Sequence, residues 1–184
     1  MAKIYTKTGD NGETSLYFGE RFFKSENIFD ILGNLDELNS FLGLTYTSRS
    51  KDKKIKALVI KLQRELFNLG AVLATVKEKT ALSEIQLYEG KVKELERHID
   101  EIDKKLPVLK NFIIPSGDIK AVYFHVARAI CRRVERNLVK EVKNNERTEL
   151  IPIIKYINRL SDLLFVLARY SNKSSNEEEI VWGR

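Results

Sequence analysis

The sequence predicts an all-α protein: a five-helix up-and-down bundle behind an irregular N-terminal segment. Two observations carry this. Apolar residues recur at i, i+3, i+4 and i+7 through five successive stretches of the 184-residue chain, which is the period of amphipathic helices. Three prolines and nine glycines leave few of the turns that a β architecture needs. The length suits one domain with a sizeable core. Residues 1–184 are therefore read as a single domain, with an N-terminal segment (1–25), the bundle (26–172) and a tail (173–184).

The first stripe is Ile28, Ile31, Leu32, Leu35, Leu38, Phe41 and Leu42, and the second runs from Ile55 through Leu58, Val59, Leu62, Leu66, Leu69 and Val72 to Leu73. A thinner third stripe contains Ile85, Val92, Leu95, Ile99 and Ile102. Pro107, Pro115 and Gly117 punctuate a loop over about residues 106–117, because these residues interrupt helices. The fourth stripe is Val122, Val126, Ala129, Ile130, Val134 and Leu138. The fifth is Ile153, Ile154, Ile157, Leu160, Leu164 and Leu167, with Pro152 in the first turn, where proline is tolerated. Residues 1–25 show no helical period, and Lys3 to Tyr5 could be extended. The tail is polar until Val181 and Trp182 and is expected to be loosely held.

A composition of 43% hydrophobic and 32% charged residues is that of a folded domain. The net charge of +6 permits an anionic partner. Neither a helix-turn-helix signature nor aromatic–basic interleaving on a sheet argues for nucleic acid. The sequence contains no apolar run near the roughly 20 residues of a membrane span and no leader pattern, so a cytoplasmic location with no membrane partner is expected. A lone Cys131 allows no internal disulfide, and it reads as a packing residue. His98 and His125 share no metal-ligand spacing with each other or with Cys131.

Five places could carry chemistry. Thr6, Lys7, Thr8, Gly9, Asp10, Asn11, Gly12, Glu13, Thr14 and Ser15 make either a phosphate cradle or an ordinary turn: glycines let backbone N–H groups converge on an anion. Arg128, Arg132 and Arg136 lie at i, i+4 and i+8 and share a helix face, with Arg133, Val134 and Glu135 among them. Guanidinium forks suit phosphate oxygens, but a salt-bridged surface or a subunit interface would use the same residues. Asn158 and Asp162 share a face of the last helix, as a Mg²⁺ or ribose site or as a structural pair. Asp36 borders the first apolar stripe, and Phe112 sits in an apolar loop pinned by Pro115. Lys77 and Lys79 could reach phosphate but match no motif.

In order along the chain, TKTGDNGETS, GER (residues 19–21) followed by Lys24, GNLDELNS, FIIPSG, HVARAICRRVER and NRLSDLLFVLARY resemble the ATP:cob(I)alamin adenosyltransferase family of the propanediol-utilisation type. The resemblance spans roughly residues 3–172. It implies a homotrimeric five-helix bundle with active sites between subunits. There the 5′-deoxyadenosyl group of ATP passes to the cobalt of reduced corrinoid, and triphosphate is released. It implies an ATP site of Thr6 to Ser15, Lys24, Arg132 to Arg136 and Asn158, with Asn158 helping to hold Mg²⁺–ATP. It implies that Phe112 closes the lower face of the corrin, that Asp36 and Arg128 pair across the subunit interface, and that Arg132 contacts triphosphate. A reductase and an adenosylcobalamin-dependent enzyme follow as expected partners. Asp118, just after FIIPSG, brings a charge near the expected corrin face.

Overall fold

The computed structural model describes residues 4–16, 19–47, 52–75 and 79–183, with the side chains of residues 79–81 left aside. Lys3, Lys77 and the Lys79 side chain lie outside the described residues. Within them, the helices are α1 (Asn27–Thr47), α2 (Lys53–Ala74), α3 (Lys79–Asp103), α4 (Ile119–Asn145) and α5 (Ile151–Ser174), with a 3-10 turn at Thr148–Leu150 leading into α5. Ahead of them, β1 (Glu13–Ser15) and β2 (Arg21–Phe23) pair antiparallel, Glu13 opposite Phe23 and Ser15 opposite Arg21. The short extended piece therefore falls at residues 13–15, and Tyr5 is outside any strand.

Local chemistry sets the helix ends. Asp52 caps α2, its carboxylate accepting the N–H groups of Lys54 and Ile55. Asp118 caps α4, accepting the Lys120 N–H at 2.8 Å. The charge next to FIIPSG is thus spent on a helix N-terminus, where an anion is favoured. Pro152 occupies the first turn of α5.

The five stripes meet in one core. α1 lies between α2 and α4, α5 lies between α4 and α3, and α2 and α3 close the ring along a light seam. Arg133 reaches Asn34 while Asn27 reaches Asn137, so α1 and α4 run antiparallel. Asn158 with Glu135 and Asn172 with Asp118 make α4 and α5 antiparallel as well. Arg159 with Glu96 and Arg169 with Asp103 make α3 and α5 parallel. The loop of residues 104–118 therefore arches over the C-terminal end of α5 and starts α4 on its far side. Three residues at that end of α5 hold it: Arg169 donates to the Pro107 carbonyl, Asn172 to the Ser116 carbonyl and Lys173 to the Lys105 carbonyl.

α5 is buried around most of its circumference: Ile157, Leu160, Leu163, Leu164 and Leu167 are fully enclosed. It also carries a fully buried polar group. The Tyr156 hydroxyl donates to the Glu65 carboxylate at 2.7 Å, and its ring meets Tyr88 edge-on at 5.1 Å. Burial, with Glu65 alongside, pushes both phenol pKa values well up, so Tyr156 remains a donor. The tail is not loose: Arg169 pairs with Glu179, and Ile113 and Val181 form an antiparallel bridge. No helix among the described residues is long and apolar enough to cross a membrane.

Tyr156→Phe removes the donor but leaves Glu65 buried. Denaturant unfolding should show a loss of about 1–3 kcal/mol, the penalty for an unsatisfied buried acceptor. An unchanged midpoint would mean that Glu65 finds another partner.

Candidate active site

The N-terminal segment is a braced turn. Lys7 and Gly12 adopt left-handed backbone conformations, with φ of 61° and 83°, and the Asp10 and Gly12 N–H groups bond back to the Lys7 and Gly9 carbonyls. Lys24 lies across the turn, its Nζ donating to the Gly9 carbonyl at 2.7 Å. Arg21 holds the other side, donating to the Thr8 carbonyl at 2.7 Å and pairing with Glu13. Thr6 and Thr8 share a hydroxyl hydrogen bond at 2.9 Å. Threonine hydroxyls, glycine backbone and two lysines thus stand on one exposed loop. β1 and β2 approach each other and none of the helices closely, and Phe22 links them to the bundle, its ring 6.3 Å from that of Phe29.

The arginines of α4 separate by direction. Arg133 turns to α1, bonding Asn34 at 2.6 Å and pairing with Glu37. Arg128 lies over the Phe165 ring, its guanidinium carbon 5.3 Å from the centroid. Burial and the neighbouring Arg132 push its pKa down, and no carboxylate among the described residues forms an ion pair with it. Asp36 is exposed on α1, between the buried Leu35 and Leu38. Val134 is fully buried, so its side chain belongs to the core, not to the anion-facing surface. Arg132 and Arg136 are exposed one turn apart, and among the described residues Arg136 donates only to the Arg132 carbonyl, at 3.2 Å.

Beside them, Asn158 Nδ2 donates to Glu135 Oε1 at 2.8 Å. Asn158 Oδ1 and Glu135 Oε2 have no partner among the described residues and form a small set of hard oxygen donors, the kind that suits Mg²⁺. Among the described residues no three His, Cys, Asp or Glu side chains group to cage a metal. Asp162 separates from Asn158 and pairs with Arg159 at 2.8 Å.

Phe112 is 81% exposed at the far end of the bundle, over the C-terminus of α5. Its carbonyl accepts the Trp182 N–H at 2.9 Å, and the Ile114 N–H donates to the Ile180 carbonyl at 2.8 Å. Trp182, 69% exposed, stands across this ribbon from Phe112. Sequence reasoning did not single out Arg21, Arg169, Asn172, Glu179 or Trp182 as site residues. One signal was present: Leu163, Val166, Arg169 and Asn172 continue a single i+3 row in which two polar residues follow two apolar ones, and all four are buried.

His125 is 6% exposed, and neither ring nitrogen has a hydrogen-bond partner among the described residues. Its ring meets Phe165 at 6.0 Å. Cys131 is buried and donates to the Ile157 carbonyl, and burial pushes its thiol pKa up, which leaves it unreactive.

A helical bundle thus carries a hydroxyl- and glycine-rich turn, exposed arginines beside a pair of hard oxygen donors, and exposed aromatic side chains at one end, a set that suits a polyphosphate at one place and an apolar ligand at another. Residues 4–171 match the cobalamin adenosyltransferase family. Mouse corrinoid adenosyltransferase MMAB is 39% identical over 186 residues, covering 99% of this chain and 78% of the mouse protein. A corrinoid adenosyltransferase of Bacillus subtilis is 39% identical over 185 residues, covering 99% of this chain and 93% of its own length. Among solved structures, the F112H variant of a PduO-type ATP:corrinoid adenosyltransferase from Lactobacillus reuteri, complexed with cobalamin and ATP, superposes with a TM-score of 0.87 at 30% identity, covering 99% of this chain and 97% of that one. The chain belongs to the cobalamin adenosyltransferase family, and to its PduO-type branch.

Burial, with Arg128 alongside, holds the His125 imidazole below its ordinary 6.5, although Glu179 opposes the shift. The unfolded chain takes up a proton there near pH 6.5 that the folded chain refuses, so this residue's contribution to stability falls as pH drops below that value. His125→Gln should flatten the decline in melting temperature between about pH 7 and pH 5. An unchanged slope would place the acid sensitivity elsewhere.

Proposed function

We propose that the cradle of one chain and the α4–α5 face of its neighbour hold ATP between them in a homotrimer. The chain is a corrinoid adenosyltransferase that moves the 5′-deoxyadenosyl group of ATP to the cobalt of cob(I)alamin, forming adenosylcobalamin and releasing triphosphate. The observation that carries the residue assignment is the exposed Arg132–Arg136 pair. Two like charges one turn apart face outward with no carboxylate among the described residues, next to the Glu135–Asn158 donor pair. Such a face suits a polyphosphate. The cradle on the same chain stands off the bundle, so a neighbouring chain supplies the missing half. Asp36, exposed, and Arg128, which forms no ion pair among the described residues, are suited to pair across that junction.

Cob(I)alamin is a strong nucleophile, and the protein need not provide one. The cobalt electron pair attacks C5′, the C5′–O bond breaks, and triphosphate leaves with its bonding electrons. The protein aligns cobalt with C5′ and stabilises the departing charge. Thr6 to Ser15 wrap the nucleotide with backbone N–H groups and hydroxyls. Lys7, Lys24, Arg132 and Arg136 meet the phosphates, and Arg133 fixes the rotation of α4 through Asn34 and Glu37. Asn158 Oδ1 and Glu135 would help to hold Mg²⁺ carried with ATP, and the ion would supply charge neutralisation at the phosphates. Phe112 covers the lower face of the corrin and excludes a lower ligand and water, which makes Co(II) easier to reduce. A reductase that delivers the electron, an adenosylcobalamin-dependent enzyme that takes the product, and a cytoplasmic setting complete the reading. Neither nucleic acid nor membrane has a role in it.

Mixing the protein with ATP and chemically reduced cobalamin should develop the spectrum of a cobalt–carbon bond. A carrier that only binds finished coenzyme would not produce it. Arg132→Ala should keep the fold and lose about 10²–10³ in turnover, the usual effect of deleting one charge-stabilising donor. Normal turnover in that variant would remove the triphosphate role. Phe112→Ala should still bind ATP while adenosylation starting from Co(II) collapses, and an unchanged rate from Co(II) would contradict the corrin-face role.

A further inference from the structure

The Phe112 loop does not hold its own shape. Its carbonyl and the Ile114 N–H are bonded to the tail, at Trp182 and Ile180. Little apolar burial keeps the tail there: Ile180 is 53% exposed and Trp182 69%. The tail instead bridges a cleft of about 770 Å³ lined by Lys105, Pro107, Arg169, Lys173, Glu179 and Val181, among others. Its position therefore depends on polar bonds, and these converge on the last turns of α5.

Two α5 side chains make them. Arg169, 3% exposed, forks onto Glu179, Nε to Oε1 at 2.8 Å and Nη2 to Oε2 at 3.1 Å. The same Nη2 donates to the Pro107 carbonyl at 2.8 Å, where the Phe112 loop begins. Asn172, 2% exposed, holds the loop's other end, accepting from the Asp118 N–H at 2.9 Å and donating to the Ser116 carbonyl at 3.0 Å. Its own carbonyl accepts the Ser175 and Glu177 N–H groups where the tail begins. Gly117 has φ of 97°, and a Cβ there would stand 2.3 Å from Asn172 Oδ1, so this contact admits no side chain. Loop and tail are fastened at both ends to one pair of residues and joined to each other in the middle.

We propose that Arg169, Asn172 and Glu179 are positioning residues for the corrin step: through the tail they set where Phe112 stands, with no contact of their own to the reacting atoms. This rests on the assignment of Phe112 to the corrin face. The bidentate Arg169–Glu179 pair is the keystone. Its geometry is directional, and loss of Glu179 leaves a buried guanidinium with the Pro107 carbonyl and, at 3.9 Å, Asp103. The adenosyl-transfer chemistry is unchanged by this device, which acts on the approach and axial environment of cobalt.

The test compares Glu179→Gln and Glu179→Ala with wild type and Phe112→Ala, in the full-length chain. Three quantities are read: ATP affinity, the turnover rate from Co(II) cobalamin, and the axial-ligand signature of bound Co(II) by electron paramagnetic resonance. Amide exchange at Ile114 reports the ribbon without reference to turnover. Both Glu179 variants should bind ATP normally, exchange Ile114 faster and show more ligand-bound Co(II). Their rate from Co(II) should fall roughly 10- to 100-fold, as misplacement by about 1 Å does. The Gln variant, which retains one hydrogen bond, should fall between wild type and Ala. Ile114 exchange, Co(II) signature and rate that all stay at wild-type values in a folded Glu179→Ala protein would overturn the proposal, and so would faster exchange with an unchanged Co(II) signature. If Phe112→Ala itself leaves the Co(II) signature unchanged, the Phe112 assignment fails and takes this proposal with it. An impaired Phe112→Ala beside unimpaired Glu179 variants sinks this proposal alone.

Discussion

The rotation of α4 about its own axis is fixed from two sides. Arg133 is tied to Asn34 and Glu37 on α1, and Glu135 accepts from Asn158 on α5. Between these anchors Val134, Leu138 and Cys131 are buried in the core. A helix clamped in this way has no freedom to turn its remaining cations toward internal carboxylates. Arg132 and Arg136 are left outward, and Arg128 is left against Phe165. Like charges held together with no ion pair among the described residues repel one another, and a bound anion would relieve that repulsion.

The same clamp divides labour along the bundle. The proposed function assigns the Arg132–Arg136 face to the nucleotide. About four turns earlier, α4 begins after its cap Asp118, whose backbone N–H is held by Asn172, and there the apolar Phe112 and Trp182 are presented together. α5 connects the two ends: Asn158 stands beside the cations, while Arg169 and Asn172 tie down the loop and the tail. α5, buried around most of its circumference, joins the cation-bearing end to the apolar end and holds their separation, which a reaction dependent on alignment requires.

The helical architecture is legible in the sequence because burial follows a period: Ile28 to Leu42 and Ile55 to Leu73 mark their helices by spacing alone. Arg132 and Phe112 could be named because they lie in long motifs. The direction of Arg133 was not legible, although Arg128 had been set apart from Arg132 by the motif. Arg133 differs from Arg132 by one position, and only the placement of Asn34 on a neighbouring helix sends it inward. Val134 sits inside an arginine-rich motif yet is fully buried, since the apolar stripe, not the motif, decides where its side chain goes. The tail was hidden for a related reason. Three consecutive glutamates read as a solvated run, and choosing Glu179 requires knowing that Arg169, eight residues after Ser161 on a core-facing helix, is buried and needs an acceptor.

Complementation tests most directly whether the free α4 cations meet a cradle from another chain. Arg132→Ala and Lys24→Ala chains, each nearly inactive alone, are co-assembled in equal amounts. If the site is shared between subunits, mixed trimers regain about a quarter of wild-type activity, since a random pairing unites an intact cradle with an intact α4 face that often. If each chain builds its own site, the mixture shows no activity beyond the sum of the two variants, and the account of a shared site is wrong.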